Sequence, residues 1–185
     1  GIAELSSYKW LVFTSANGVE YFFERLNLAG KDARALAGVQ LAAIGSATAD
    51  ALKAHGLTAD LIPSAYKAEE LAEALADKIT AGDKILIARA KVAREVLPES
   101  LRKIGAEVNV VTAYETVADC ENKDELLAAL EEGSASVVTF TSSSTVTNLL
   151  KVLGDKAELL SKVALAAIGP VTRKKKKKHG FAPTI

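Results

Sequence analysis

The chain has 185 residues, 49% of them hydrophobic and 25% charged, with 23 basic residues against 23 acidic. That length suits one large domain or two small ones, and the composition is ordinary for a soluble globular protein. Five lysines form one run, Lys174–Lys178; without it the balance is 18 basic to 23 acidic, which argues against a broad nucleic-acid surface.

Taken in chain order, Trp10-Leu11-Val12-Phe13 reads as a buried strand. It runs into Thr14-Ser15-Ala16-Asn17-Gly18 and then a helix with Val19, Phe22, Phe23 and Leu26 on one face. Leu41–Ile44 is a short apolar strand, Gly45-Ser46-Ala47-Thr48 starts the next helix, and His55-Gly56 closes it. Ala68–Ile79 has the spacing of an amphipathic helix. Ile85–Ala88 is a strand, Arg94–Ile104 a helix stopped by Gly105, and Val108–Val111 a further strand. Thr112–Cys120 has no strong period and reads as a linker or hinge. Asp124–Leu130 is a helix, Val137–Phe140 a strand, Val146–Leu153 a helix and Leu165–Ile168 a strand. Strands alternating with helices predict parallel sheets with helices on both faces and right-handed crossovers.

The chain also repeats itself. Leu41-Ala42-Ala43-Ile44-Gly45 returns letter for letter as Leu165-Ala166-Ala167-Ile168-Gly169, with Thr48 matching Thr172 and His55-Gly56 matching His179-Gly180. Upstream, Val12-Phe13-Thr14-Ser15 corresponds to Thr139-Phe140-Thr141-Ser142. Two copies of one supersecondary unit are expected, each handing a strand to a helix through Thr and Ser. The second copy lacks counterparts of the later strands of the first, so an incomplete second domain is expected. The absence of methionine and the start at Gly1 point to a fragment whose missing strands lie N-terminal.

Single residues narrow the chemistry. One cysteine, Cys120, leaves no internal disulfide or multi-cysteine zinc site and fits a reducing compartment. No His/Cys/Asp cluster suggests a metal, and neither GxGxxG nor a P-loop is present, so no cofactor is expected. No stretch reaches the ~18 apolar residues of a membrane span, and no signal peptide is visible. His55 and His179 each precede a glycine at a predicted helix end, where a cation suits the helix dipole. Five lysines cannot form an apolar helix face, so the Lys174–Lys178 run reads as an exposed helix rather than a nucleic-acid patch.

Several segments together resemble the uroporphyrinogen-III synthase family: Trp10–Phe22, Leu41–Ala51, Pro63–Leu75, Ile85–Glu115, Val137–Leu150 and Ile168–Thr172. Each motif is weak alone; their order and spacing carry the resemblance, which covers nearly the whole chain. The resemblance implies two parallel-sheet α/β domains joined by a two-stranded linker with a cleft between them, one domain continuous and the other built from both chain ends. Here the continuous domain would run over 8–113, the linker over 114–120, and the C-terminal part of the split domain over 121–185. It further implies a cytoplasmic lyase, without cofactor and expected as a monomer, that closes hydroxymethylbilane with loss of water and inversion of ring D. The parent protein could be fused to a methyltransferase. A bilobed anion-binding protein without chemistry, or an interaction fragment of a larger fused enzyme, are the other readings of the same residues.

Hydroxymethylbilane carries eight carboxylates, and helix N-termini with hydroxyl side chains suit carboxylates. Thr14, Ser15 and Asn17, and their repeat Thr141, Ser142 and Ser143, are candidate substrate donors, although the same residue types cap helices in general. Ser46 and Thr48, with Gly169 and Thr172, form the second matched set, where a tight strand–helix turn is the other reading. Arg89 is a candidate for bidentate pairing with a carboxylate, as is Arg94; a surface ion pair would explain either equally well. The resemblance places Tyr114 facing the cleft, where its phenol would help the terminal hydroxyl leave or stabilise the resulting azafulvene. Otherwise it is an aromatic packing the hinge.

Overall fold

The computed structural model describes residues 2–118, 121–169, 172–174 and 180. Of the residues named above, Cys120, Lys175–Lys178 and His179 lie outside the described residues. The chain divides into two compact units, Gly1–Thr116 and Val117–Ile185.

The first unit contains β1 (Trp10–Phe13), α1 (Ala16–Leu28), β2 (Gln40–Ala43), α2 (Ser46–Ala54), α3 (Ala68–Ala76), β3 (Lys84–Ala90), α4 (Val96–Lys103) and β4 (Glu107–Tyr114). Its four strands are parallel in the order β2-β1-β3-β4. All four residues of β1 are buried, as a central strand with both faces covered requires. Strand alternation sends Leu11 and Phe13 towards α1 and α2, where they meet Phe22, Phe23, Leu26 and Leu52. Trp10 and Val12 face the other way, with Leu71 and Leu75 of α3 and Leu97 and Leu101 of α4. The periodic apolar positions of each helix are therefore the ones it buries against the sheet.

The second unit contains α5 (Lys123–Glu131), β5 (Val137–Phe140), α6 (Ser143–Leu153), a 3₁₀ segment over Gly154–Lys162, and β6 (Ala164–Ala167). β5 and β6 pair in parallel. Leu130, Phe140, Val146, Leu153, Leu160 and Leu165 form its core. Among the described residues its sheet has two strands where that of the first unit has four.

The internal repeat extends to individual hydrogen bonds. Phe13 lies beside Ala43 in one sheet and Phe140 beside Ala167 in the other. Just beyond, the Ile44 N–H donates to the Phe13 carbonyl at 3.0 Å, and the Ile168 N–H to the Phe140 carbonyl at 3.0 Å. Both α1 and α6 start at an extended serine, Ser15 or Ser142, whose side chain accepts from the backbone N–H three residues on.

Some boundaries differ from those the sequence suggests. Thr112, Ala113 and Tyr114, read as the start of a linker, continue β4: Thr112 pairs with Arg89 and Tyr114 with Ala90 across a register shift. The helix expected from Arg94 begins at Val96, because the Arg94 carbonyl accepts from the Arg89 side chain instead. The helix expected over Ala68–Ile79 ends at Ala76, and α6 begins at Ser143, earlier than Val146, because Ser142 caps it. His55 ends α2 as expected, and Gly56 takes the left-handed φ of +76° that glycine tolerates best. The His55 ring stacks on Phe23 at 4.0 Å, and its Nε2 lies 3.3 Å from Glu20.

Candidate functional site

In a parallel sheet the loops leaving the C-terminal strand ends share one edge, which is where open α/β folds bind ligands. In the first unit β1 ends there in Thr14 and Ser15, β2 in Ile44 and Gly45, β3 at Ala90 and β4 at Tyr114. Four of the candidate segments are thereby brought to one edge by topology alone.

Ser15 is at the centre of this edge. Its Oγ accepts from the Gly18 N–H at 3.0 Å, which satisfies one of the free amides at the start of α1. The same oxygen lies 3.1 Å from the Tyr114 hydroxyl. The Tyr114 ring stacks on Tyr21, one and a half turns along α1, with centroids 5.7 Å apart and planes 22° from parallel. Gly18 makes the arrangement possible: a Cβ there would stand 3.2 Å from both the Ala88 carbonyl oxygen and Ser15 Oγ. Tyr21 carried no sequence signal for this role, because its partner is remote along the chain.

Thr14 and Arg89 line a pocket of about 240 Å³ together with Tyr66, Lys67 and Arg94. The Arg89 side chain is 9% exposed and pairs with the half-exposed Glu95 carboxylate; its Nη1 also donates to the Arg94 carbonyl at 2.8 Å. Arg94 grips Glu69 through two bonds of 2.6 and 3.1 Å, and these hold the Glu69 carboxyl below the usual carboxylate range. Both guanidinium groups are thus engaged by carboxylates of the protein itself. That favours the ion-pair reading of Arg89 over direct capture of a ligand carboxylate.

At the start of α2 Ser46 is exposed, as is Asn17 on α1, whereas Thr48 is buried at 3% exposure. Thr172, its repeat partner, is equally buried at 4%, so these two threonines face inward rather than presenting hydroxyls to solvent. The two matched glycines differ. A Cβ on Gly45 would meet the Tyr66 ring at 2.8 Å, whereas one on Gly169 would meet nothing within 4 Å. Tyr66 lies over the start of α2 while remaining 62% exposed; no motif or period in the sequence singles it out.

In the second unit the strand-end hydroxyls form a local cluster. Ser142 Oγ accepts from the Thr145 N–H at 3.2 Å, and the Ser142 N–H donates to Thr145 Oγ1 at 3.2 Å, closing a reciprocal cap. Ser142 Oγ also lies 2.8 Å from Ser144 Oγ. Ser143 is half-buried and Thr141 exposed. Thr141 borders a pocket of about 290 Å³ with Phe140, Ala167 and Ile168. Ser144 and Thr145 belong to this cluster, a fact the hydroxyl-rich run at 141–145 could have signalled. Among the described residues no group of three or more His, Cys, Asp or Glu could hold a metal ion, and no helix is long and apolar enough to cross a membrane.

The family model of uroporphyrinogen-III synthase HemD matches residues 2–185. A protein of Methanothermobacter thermautotrophicus is 39% identical over 178 residues, covering 92% of this chain and 69% of that protein. The uroporphyrinogen-III synthase of Synechococcus elongatus is 34% identical over 177 residues, covering 92% of this chain and 66% of that enzyme. The chain therefore spans about two thirds of the length of these relatives. The crystal structure of the Helicobacter pylori uroporphyrinogen-III synthetase superposes with a TM-score of 0.67 at 20% identity, over 96% of this chain and 76% of that one. At that identity the likeness speaks for the fold, which is α/β in both units. The chain belongs to the uroporphyrinogen-III synthase family.

Proposed function

We propose that this member of the uroporphyrinogen-III synthase family closes hydroxymethylbilane to uroporphyrinogen III, with loss of water and inversion of ring D, and that Tyr114 is its catalytic acid. The observation that carries the assignment is the Tyr114 hydroxyl held at the strand-end edge, 3.1 Å from the Ser15 hydroxyl. A phenol is protonated at neutral pH and can donate to a leaving hydroxyl. The terminal hydroxyl of the bilane leaves as water, pushed out by the adjacent pyrrole. Ring D then attacks through a spiro intermediate rather than closing directly.

Direct closure needs no enzyme and gives the unflipped isomer, so the protein's task is to steer a folded chain. Each unit by itself offers neutral donors to carboxylates of the substrate: the first turns of α1 and α2 with Thr14, Asn17 and Ser46 in the first, and that of α6 with Thr141, Ser142 and Ser143 in the second. Many weak donors fix the orientation without any one being indispensable. The buried Thr48 and Thr172, with Gly169, shape the turns that aim those amides. Arg89 supports the loop over 91–95 rather than holding substrate. The protein acts as a cytoplasmic monomer, and fusion to a methyltransferase in the parent chain is compatible with this site.

Tyr114→Phe tests the role. It should slow formation of the type III isomer by about a hundredfold, the usual lower range for removing a general acid, with substrate binding retained. Full rate and an unchanged isomer ratio would remove Tyr114 from the mechanism.

A further inference from the structure

Ser15 and Tyr21 are built around the Tyr114 phenol, and the proposed chemistry explains neither. Ser15 Oγ has two functions at once: it accepts the Gly18 N–H at 3.0 Å and lies 3.1 Å from the Tyr114 hydroxyl. A serine hydroxyl has one proton to give and two lone pairs to receive. With one lone pair occupied by a backbone amide at the positive end of α1, its own O–H is polarised towards donation.

We infer that Ser15 and Tyr21 are positioning residues for Tyr114: Ser15 links the amide end of α1 to the phenol as a hydrogen-bond relay, and Tyr21 fixes the ring by stacking. The inference rests on Tyr114 being the acid. In the acid step the Tyr114 O–H bond breaks and its proton joins the leaving hydroxyl, which departs as water. The bilane becomes an azafulvenium cation that keeps its pyrrole N–H, and the phenol oxygen becomes anionic. That oxygen then needs a donor, and the Ser15 O–H is in place to supply it without solvent reorganisation. The macrocycle loses one proton on closing, which returns to the phenolate. Charge and protons balance with no further reactant.

The geometry also explains Gly18. A side chain at that position would crowd both Ser15 Oγ and the Ala88 carbonyl at 3.2 Å, so glycine keeps the relay's first link short. Tyr21 contributes rigidity. Its ring faces the Tyr114 ring at 22°, so the phenol cannot swing away from Ser15 without unstacking. This assigns Ser15 to the acid rather than to a substrate carboxylate, and the two assignments differ in what kinetics would show.

Three substitutions separate the relay from simple helix capping. Ser15→Ala removes both cap and donor. Ser15→Asp keeps a strong N-cap but has no proton to donate at neutral pH, whereas Ser15→Asn keeps the cap and restores an N–H donor. Ser15→Ala and Ser15→Asp should each lower kcat about tenfold, the worth of one hydrogen bond to a developing charge, with KM little changed. Ser15→Asn should recover most of the rate, and Ser15→Ala should cost nothing further in a Tyr114→Phe background. A rise in KM at unchanged kcat would return Ser15 to substrate binding and overturn the inference.

A readout without turnover keeps the two proposals apart. The chain has four tyrosines, so labelling them with ¹³C at Cζ gives four resonances, and Tyr114→Phe identifies the relevant one. That resonance should move in Ser15→Ala and Ser15→Asp and return towards its original position in Ser15→Asn. A Tyr114 signal indifferent to Ser15→Ala would overturn the relay whatever the enzyme's rate. A parent protein that makes no type III isomer would overturn the activity while leaving the resonance test to decide the relay.

Discussion

Cutting the Arg89–Glu95 pair should be most damaging from its exposed side. The Arg89 side chain is 9% exposed and the Glu95 side chain 52%. Arg89→Met removes the charge-assisted bond to Glu95 and the bond to the Arg94 carbonyl, but Met refills the volume and Glu95 re-solvates readily. A charge-assisted bond contributes roughly 1.5–3 kcal/mol, discounted here for the half-exposed carboxylate, and a loop carbonyl bond about 1. The net loss expected is about 2 kcal/mol. Glu95→Ala removes a residue that solvent already reaches, yet it leaves a guanidinium buried without its counter-charge, and that penalty is the larger one for a buried pair. It should therefore cost at least as much as Arg89→Met, and the double variant should recover part of the loss. Trp10 is the single tryptophan and is 1% exposed in the core of the first unit. Its fluorescence during denaturant or thermal unfolding reports that unit by itself. A loss of about 2 kcal/mol lowers Tm by roughly 6–10 °C in a unit of this size. Glu95→Ala with the stability of the parent would refute the view that this pair anchors the loop over 91–95.

Other perturbations give equally definite outcomes. Gly18→Ala would gain about 1 kcal/mol from helix propensity alone; with the Ala88 carbonyl and Ser15 Oγ each 3.2 Å from the new Cβ, denaturant titration should instead show net destabilisation. Leu75→Ala empties a fully buried position between α3 and the sheet and should cost about 3 kcal/mol, read as an earlier Trp10 transition. The Asp83 carboxyl is held below its ordinary range, first by the Lys9 ammonium and then by the Thr80 N–H. A depressed carboxyl stabilises the fold above its unfolded-state pKa and loses that contribution as pH falls through the lowered folded value. The stability gap between the parent and Asp83→Asn should therefore be widest near neutrality and close in acid; a gap that widened on acidification would contradict the assignment.

How legible the molecule is from its sequence depends on the range of each interaction. β1 and β3 are visible because central parallel strands are buried on both faces and read as unbroken apolar runs. The repeat is visible because it preserves both the residues and the spacing that set the strand register. Tyr114 resists assignment to β4 because an edge strand at its C-terminal end loses the apolar pattern, so Thr112–Tyr114 reads as linker. The contact that gives Tyr114 meaning, to Ser15, spans 99 residues and leaves no local period. Arg89 and Glu95 are six apart across a loop, a spacing that marks no helix face, so their pairing could not be foreseen. Tyr66 occupies the room left by the missing Cβ of Gly45, a glycine that in the sequence reads equally as a turn or as room for a ligand.

The most direct test supplies freshly generated hydroxymethylbilane to the purified protein, oxidises the product and separates the uroporphyrin isomers by chromatography. Type III isomer is expected in excess over a protein-free control, formed faster than spontaneous closure yields type I. Type I isomer alone, at the uncatalysed rate and from folded protein, would contradict it.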